Sequence, residues 1–343
     1  MEWLAEYGLF LAKAATLVVA VGVAAALVAG AARQTRAGRR RTTPPEVVPL
    51  NREYRRMAAA FESAALPRKA LRARRKADKA ERKARGREER RRLASGGEGG
   101  RRRVFVIDFK GDLRASGVDA LREEVTLVLA VATDRDEVVV RLENAGGAVH
   151  GHGLGASQLA RIRERGIALT VAVDRVAASG GYMMACVANR ILAAPFAIVG
   201  SIGAFAAIPN LHRLLEARGV DVEQFQAGEY KLTVTMLGKN TDAGREKFQD
   251  QLDNIHKLFR EFVAEYRPSL DVERVGTGEY WHGRDALDLN LVDELRTSDD
   301  YLYAASREAD LFRIRGAGRT RLRHRLAELT ELAVDRCTSH LSR

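Results

Sequence analysis

The chain has little of what several large function classes need. Two cysteines, Cys186 and Cys337, stand far apart in its 343 residues and in no ligand-like spacing, which argues against a disulfide framework and a structural zinc site. The seven histidines are scattered and form no HExxH or similar cluster, so neither a metal nor a cofactor is expected. Excess charge is also missing from most of the chain. The net charge is +12, but residues 68–103 alone carry 17 Lys and Arg against five Asp and Glu, and the remainder is neutral. A nucleic-acid partner would rest on that one stretch, and none is expected.

What is present begins with 19 residues without a charge, AATLVVAVGVAAALVAGAA at 14–32. As a helix this run spans about 28 Å, close to the hydrocarbon thickness of a bilayer. Its length, Glu2 and Glu6 before it and arginines directly after it favour an uncleaved anchor over residues 1–33 rather than a secretory signal peptide. Arg33, Arg36, Arg39, Arg40 and Arg41 follow the span, and only Lys13 precedes it. The positive-inside rule then puts the rest of the chain in the cytoplasm. Residues 34–103 read as a basic tether. It has an extended TTPPEVVPL linker (42–50), helix over 51–93 interrupted at Pro67, and a flexible SGGEGG joint (95–100). The stretch RRKADKAERKARGREERRR has too few apolar positions to bury a face. A juxtamembrane run of this kind suits anionic lipid headgroups.

From residue 104 strands alternate with helices. VFVIDF (104–109), DEVVVRLEN (136–144), IALTVAV (167–173) and RILAAP (190–195) read as strands. VDALREEVTLVLAVAT (118–133), GLGASQLARIRERG (153–166) and GGYMMACVAN (180–189) read as the helices between them. This pitch predicts right-handed βαβ crossovers and a mainly parallel sheet. Amphipathic helices follow at 210–219 and 242–267. One α/β domain is expected over 104–300, with a C-terminal basic helical extension over 301–343.

Three motifs fall at the carboxyl ends of these elements, where open α/β sheets place their sites. RLENAGGAVHG (141–151) ends a strand with two glycines, VAASGGYMMA (176–185) carries Ser179, and AGEYKLT (227–233) carries Lys231, 52 residues later. Taken singly each has an ordinary reading: Ser179 as a helix N-cap, Lys231 as a surface charge, Ser201 as a turn residue, Gly146–Gly147 as a turn. Together, in this order, they resemble the signal peptide peptidase A family of Ser–Lys peptidases over about 104–298. VDRVAASGGYMMACVANRILAAPFAIVGSIG is the most specific stretch.

The resemblance implies a ClpP/crotonase-like fold, an N-terminal transmembrane helix in the bacterial inner membrane and assembly into a homo-oligomeric ring. It implies a serine endopeptidase that cleaves peptides or unfolded protein through an acyl-enzyme. Ser179 would be the nucleophile and Lys231 the general base. Ser201 would orient the lysine, and the N–H groups of Gly146 and Gly180 would form the oxyanion hole, with Gly147 a neighbouring candidate. The family's periplasmic role stands against the arginine count.

The residue types suit that chemistry. A serine hydroxyl needs a base to become a nucleophile, and a lysine serves only when neutral, which requires burial. Tyr230, Leu232 and Val234 would supply the apolar setting. A Ser–His–Asp triad is the competing mechanism, but nothing in the sequence sets His150 or His152 beside Ser179. A crotonase-type acyl-CoA enzyme or a non-enzymatic membrane scaffold are the competing functions. One departure from the family stands out: the usual Ser-Pro before the glycine pair is Asn144-Ala145 here. Without the ring that fixes φ, the oxyanion loop is expected to be less preset.

Overall fold

In the computed structural model, which describes residues 45–94 and 101–316, strand β2 (Arg103–Lys110) shows why a parallel sheet forms. Val104 and Val106 face one side, Phe105, Ile107 and Phe109 the other, and all five are buried. A strand apolar on both faces belongs inside a sheet covered on both sides. β2 pairs in parallel with β3 (Glu137–Glu143), β3 with β4 (Ala168–Val173), β4 with β6 (Arg190–Ala193) and β6 with β9 (Glu294–Leu295). On its other edge β2 pairs in parallel with β10 (Asp310–Arg315), which pairs antiparallel with β1 (Glu46–Pro49). The sheet order is β1-β10-β2-β3-β4-β6-β9.

The helices, in chain order, are α1 (Leu50–Ala65), α2 (Arg68–Ala94), α3 (Val118–Val131), α4 (Val149–Glu164), α5 (Gly180–Ala185), α6 (His212–Glu216), α7 (Asp242–Tyr266), α8 (Val272–Val275), α9 (Gly283–Asp288) and α10 (Ser298–Ala305). On one face of the sheet, Leu121 and Val125 of α3 and Leu159 and Ile162 of α4 pack with Ile107, Val138 and Val140. On the other, Leu50 of α1 and Leu302 of α10 pack with Val104, Val106 and Val139. The chain is thus the mainly parallel α/β fold that the strand–helix alternation predicts.

Two differences bear on the sequence reading. The sheet reaches past the 104–300 span at both ends, taking β1 from the tether region and β10 from the C-terminal side. Asn51 is the tie. Its Nδ2 donates to the carbonyls of Ser306 and Ala309, and its Oδ1 accepts from Leu311 N–H at 2.7 Å. A second, three-stranded sheet also appears: β5 (Val176–Ala178) pairs in parallel with β7 (Ile198–Gly200), and β7 antiparallel with β8 (Tyr280–His282). Asn144, one residue past β3, bridges Ala177 of β5 and so stitches the small sheet to the large one.

None of the described side chains of α2 is buried, as its composition predicts. The expected anchor at 14–32 and most of the expected C-terminal extension lie outside the described residues. Among those described, no helix is long and apolar enough to cross a membrane. Residues 203–241 carry one short helix, α6, and no strand. That segment presents Phe205 and Phe225 at 89% and 90% exposure.

Candidate active site

Ser179 sits where β5 ends and α5 begins. Its backbone is at φ 52°, ψ −121°, a region L residues seldom occupy and one that persists only where the surroundings enforce it. Here they do. Ser179 N–H donates to Gly200 O at 2.8 Å, and Ser179 O accepts from Met183 N–H at 3.0 Å. The side chain makes no capping hydrogen bond, so the ordinary N-cap reading does not hold, and the hydroxyl bonds to no described residue. α5 is fastened from below. Tyr182, fully buried, donates its hydroxyl to Leu291 O at 2.9 Å, and burial raises its phenol pKa. Burial likewise pushes up the Cys186 thiol, which leaves that residue inert as a nucleophile.

The register of β5 on β7 pairs Ala178 with Gly200. Ser179 and Ser201 are the next residues after these two strand ends, and the Ser179 N–H bond to Gly200 O carries the pairing one step past the strands. Ser201 also has a positive φ, 51°, and its N–H donates to Glu279 O at 2.6 Å.

The glycine loop after β3 closes over this elbow. A Cβ on Gly146 (φ 92°) would lie 2.8 Å from Ser179 Cβ and 2.9 Å from Gly180 N, so only glycine lets the two chains meet. A Cβ on Gly147 would strike the Leu113 backbone at 2.4 Å. Leu113 lies in a turn held by Asp112, whose carboxylate accepts from the Ser116 hydroxyl and from Ser116 N–H at 2.8 Å. Those bonds hold Asp112 below the usual carboxylate range. Sequence reasoning missed the 111–115 turn, and its only signal was the glycine at 111.

The structure thus brings together Ser179, Ser201, Gly146, Gly147 and Gly180. No hydrogen bond or ion pair joins Lys231 to them. Lys231 is exposed on the 203–241 segment, and its ammonium has no hydrogen bond or ion pair with a described residue. Tyr230 and Leu232, expected to shield it, are themselves 53% and 44% exposed. The loop donors also differ from expectation. Gly146 N–H already donates to Asn144 Oδ1 at 2.9 Å, whereas Gly147 N–H and Gly180 N–H donate to no described residue. Of the two histidines, His150 is exposed. His152 is fully buried, with Nδ1 bonded to Ala148 O at 3.0 Å. Its ring fills the space a Gly180 side chain would need. Its one hydrogen bond among the described residues is thus to a backbone carbonyl and not to the carboxylate a triad requires, and its buried Nε2 has no hydrogen-bond partner among them. Among the described residues no cluster of three or more His, Cys, Asp or Glu side chains is arranged to hold a metal ion.

Comparison with known proteins gives the chain a family. The family model Peptidase family S49 N-terminal matches residues 2–159, and Peptidase family S49 matches residues 161–311. The protein named Probable protease SohB from Haemophilus influenzae is 54% identical over 212 residues, 62% of this chain and 60% of that protein. Its namesake from Buchnera aphidicola subsp. Acyrthosiphon pisum is 54% identical over 214 residues, 62% of this chain and 64% of that protein. The matched part therefore spans less than two thirds of the length of either relative. Among solved structures, the 1510-N membrane-bound stomatin-specific protease aligns with 60% of this chain and 84% of its own, at 14% identity and a TM-score of 0.40. With the two family models together running from residue 2 to residue 311, the chain belongs to peptidase family S49.

Proposed function

We propose that this chain is a membrane-anchored serine endopeptidase that cleaves peptides or unfolded protein segments with a Ser–Lys dyad. The observation that carries the reading is the Ser179 elbow. It is a strained residue whose hydroxyl bonds to no described residue, at the start of a helix and in contact with a glycine loop. Ser179 Oγ attacks the substrate carbonyl, forming the acyl-enzyme and expelling the amine, and water then releases the acyl group. The oxyanion forms against Gly147 N–H and Gly180 N–H, the two donors left without a partner. Donors so placed act on the transition state and are each worth about 3–4 kcal/mol.

The base is the Lys231 amine, oriented by Ser201. Exposed in the single chain, it becomes neutral only once water is removed from it. The segment that carries it displays Phe205, Leu214, Phe225 and Tyr230 to solvent, apolar side chains that a partner surface would cover. Seating this segment on a second copy in a ring covers those side chains and delivers the lysine to a serine. The apolar run at 14–32 anchors each copy in the inner membrane, and the arginines that follow it put the catalytic part on the cytoplasmic side.

The test is Ser179→Ala in the full chain. Alanine fits between Ala178 and Gly180, so the variant folds and assembles while hydrolysis of an unfolded protein falls to background. A purified variant that keeps wild-type hydrolysis would remove Ser179 from the nucleophile's role.

A further inference from the structure

We propose that Asn144 is a positioning residue. Its side chain presets the Gly146–Gly147 loop against Ser179, in place of the proline ring this chain lacks. The inference rests on the reading of Ser179 and its glycine loop as the catalytic centre.

Asn144 is 1% exposed and joins β5, the glycine loop and α5. Its N–H donates to Val176 O at 2.8 Å, and its carbonyl accepts from Ala178 N–H at 3.0 Å, so its backbone is locked to β5, the strand that delivers Ser179. Its Oδ1 accepts from Gly146 N–H at 2.9 Å. Its Nδ2 points to Met184 Sδ, 3.5 Å away on α5. The orientation of the carboxamide follows from the partners: an N–H faces the oxygen and a sulfur acceptor faces the NH2. Two glycines make room for this residue. A Cβ on Gly111 would lie 2.2 Å from Asn144 Oδ1, and a Cβ on Gly181 would lie 2.1 Å from Asn144 O. Gly111 thus packs against the carboxamide and Gly181 against the Asn144 backbone, which holds the residue in place beside Gly146.

The consequence is a division of labour in the loop. Asn144 takes the buried Gly146 N–H, which fixes the turn from Asn144 to Gly146 as an Asx turn does. The next peptide, with the free N–H of Gly147, is then held in one orientation. A proline at 145 would reach a similar end by fixing φ. Ala145 is exposed, and its N–H donates to no described residue, so a ring there costs no hydrogen bond. Asn144 touches no reacting atom; it acts through the loop.

The test uses the full-length protein and three chains: wild type, Asn144→Ala, and Asn144→Ala with Ala145→Pro. Asn144→Ala is expected to lower kcat by about 10-fold to 100-fold, less than the ~10²–10³ of losing a donor outright, with KM within about twofold. The added proline should restore most of the lost kcat. Hydrogen exchange provides a readout that does not depend on activity: amides of the 144–148 segment should lose protection in Asn144→Ala, while those of α5 keep theirs. A residue that only stabilises the fold would loosen both segments together, and proline at 145 would not bring kcat back. Unchanged protection at 144–148, or unchanged kcat with protection lost, would overturn the proposal. If the wild type hydrolyses nothing, the peptidase reading fails, and the exchange experiment alone still decides whether Asn144 clamps the loop.

Discussion

Ser179 and Lys231 stand in two regions built on opposite rules. Around Ser179 every position is over-determined. Two strand ends, a glycine loop and the first turn of α5 meet with no space for a single added carbon at Gly146, Gly180 or Gly181. Around Lys231 the chain runs through bends and turns, with Lys231 N–H donating to Gly228 O at 3.2 Å, and the aromatic side chains face solvent. Under the proposed dyad, the difference separates where each half would get its geometry. A nucleophile at an unfavourable φ has to be held by its own domain, because strain of about 1–3 kcal/mol persists only in a packed frame. A lysine base needs a dry site more than a rigid one, and a partner can supply dryness.

The contrast can be broken at two glycines with nearly the same φ. Gly146 has φ 92° and Gly228 has φ 94°, but a Cβ on Gly228 meets nothing within 4 Å. Gly146→Ala is expected to cost hydrolysis at least about 100-fold and stability about 2–4 kcal/mol, since neither Ser179 nor the Ala178 carbonyl can retreat. Gly228→Ala carries only the local cost of a left-handed alanine, about 1 kcal/mol, and leaves the melting of the body unchanged. Equal shifts in melting temperature for the two would mean that the 203–241 segment is packed as tightly as the elbow.

A smaller effect sharpens the same contrast from the body's side. Glu124 on α3 is 7% exposed, and its Oε1 accepts from Gly316 N–H at 2.6 Å. Burial pushes its pKa to about 7, with the Gly316 N–H opposing and the charges of Asp108 and Glu123 adding to the rise. The folded state therefore holds this proton in a range where the unfolded chain has released it. Stability from this group is complete below about pH 4.5 and is lost as the pH rises through 7. Glu124→Gln should flatten that decline, with a ceiling of about 3 kcal/mol for the difference between pH 5 and pH 8. Denaturant melts at the two pH values measure it. A variant with the wild-type pH slope would show that Glu124 ionises freely in the fold.

How far the sequence carries can be seen element by element. Strand–helix alternation is strong enough that β2, β3 and β4 fall within a residue or two of the apolar runs that predict them, and Pro67 separates α1 from α2 as read. Helix α4 begins at Val149 rather than 153 because the Ala148 carbonyl accepts from His152 N–H at 3.1 Å and starts the first turn. β5, β7 and β8 have three residues each, too few to show a period. β1 and β10 join the sheet through Asn51, a contact across some 260 positions that no local pattern announces. At the site, small residues and glycines mark Ser179 and its loop because close approach leaves a compositional trace. Asn144 leaves none. In the sequence it is only the absence of the usual Ser-Pro, and its bond to Gly146 exists once the strands are paired.

The claim that the two regions combine into one catalytic centre is tested most directly by mixing two inactive chains. Ser179→Ala keeps the lysine. Lys231→Arg keeps the serine and the positive charge but gives no neutral amine at working pH. Each assembled alone should hydrolyse an unfolded protein at background. Assembled together, they should recover activity, since a Ser179→Ala copy lends its Lys231 to the serine of a neighbour. A mixture that stays at background, or a Lys231→Arg chain active by itself, would contradict the account.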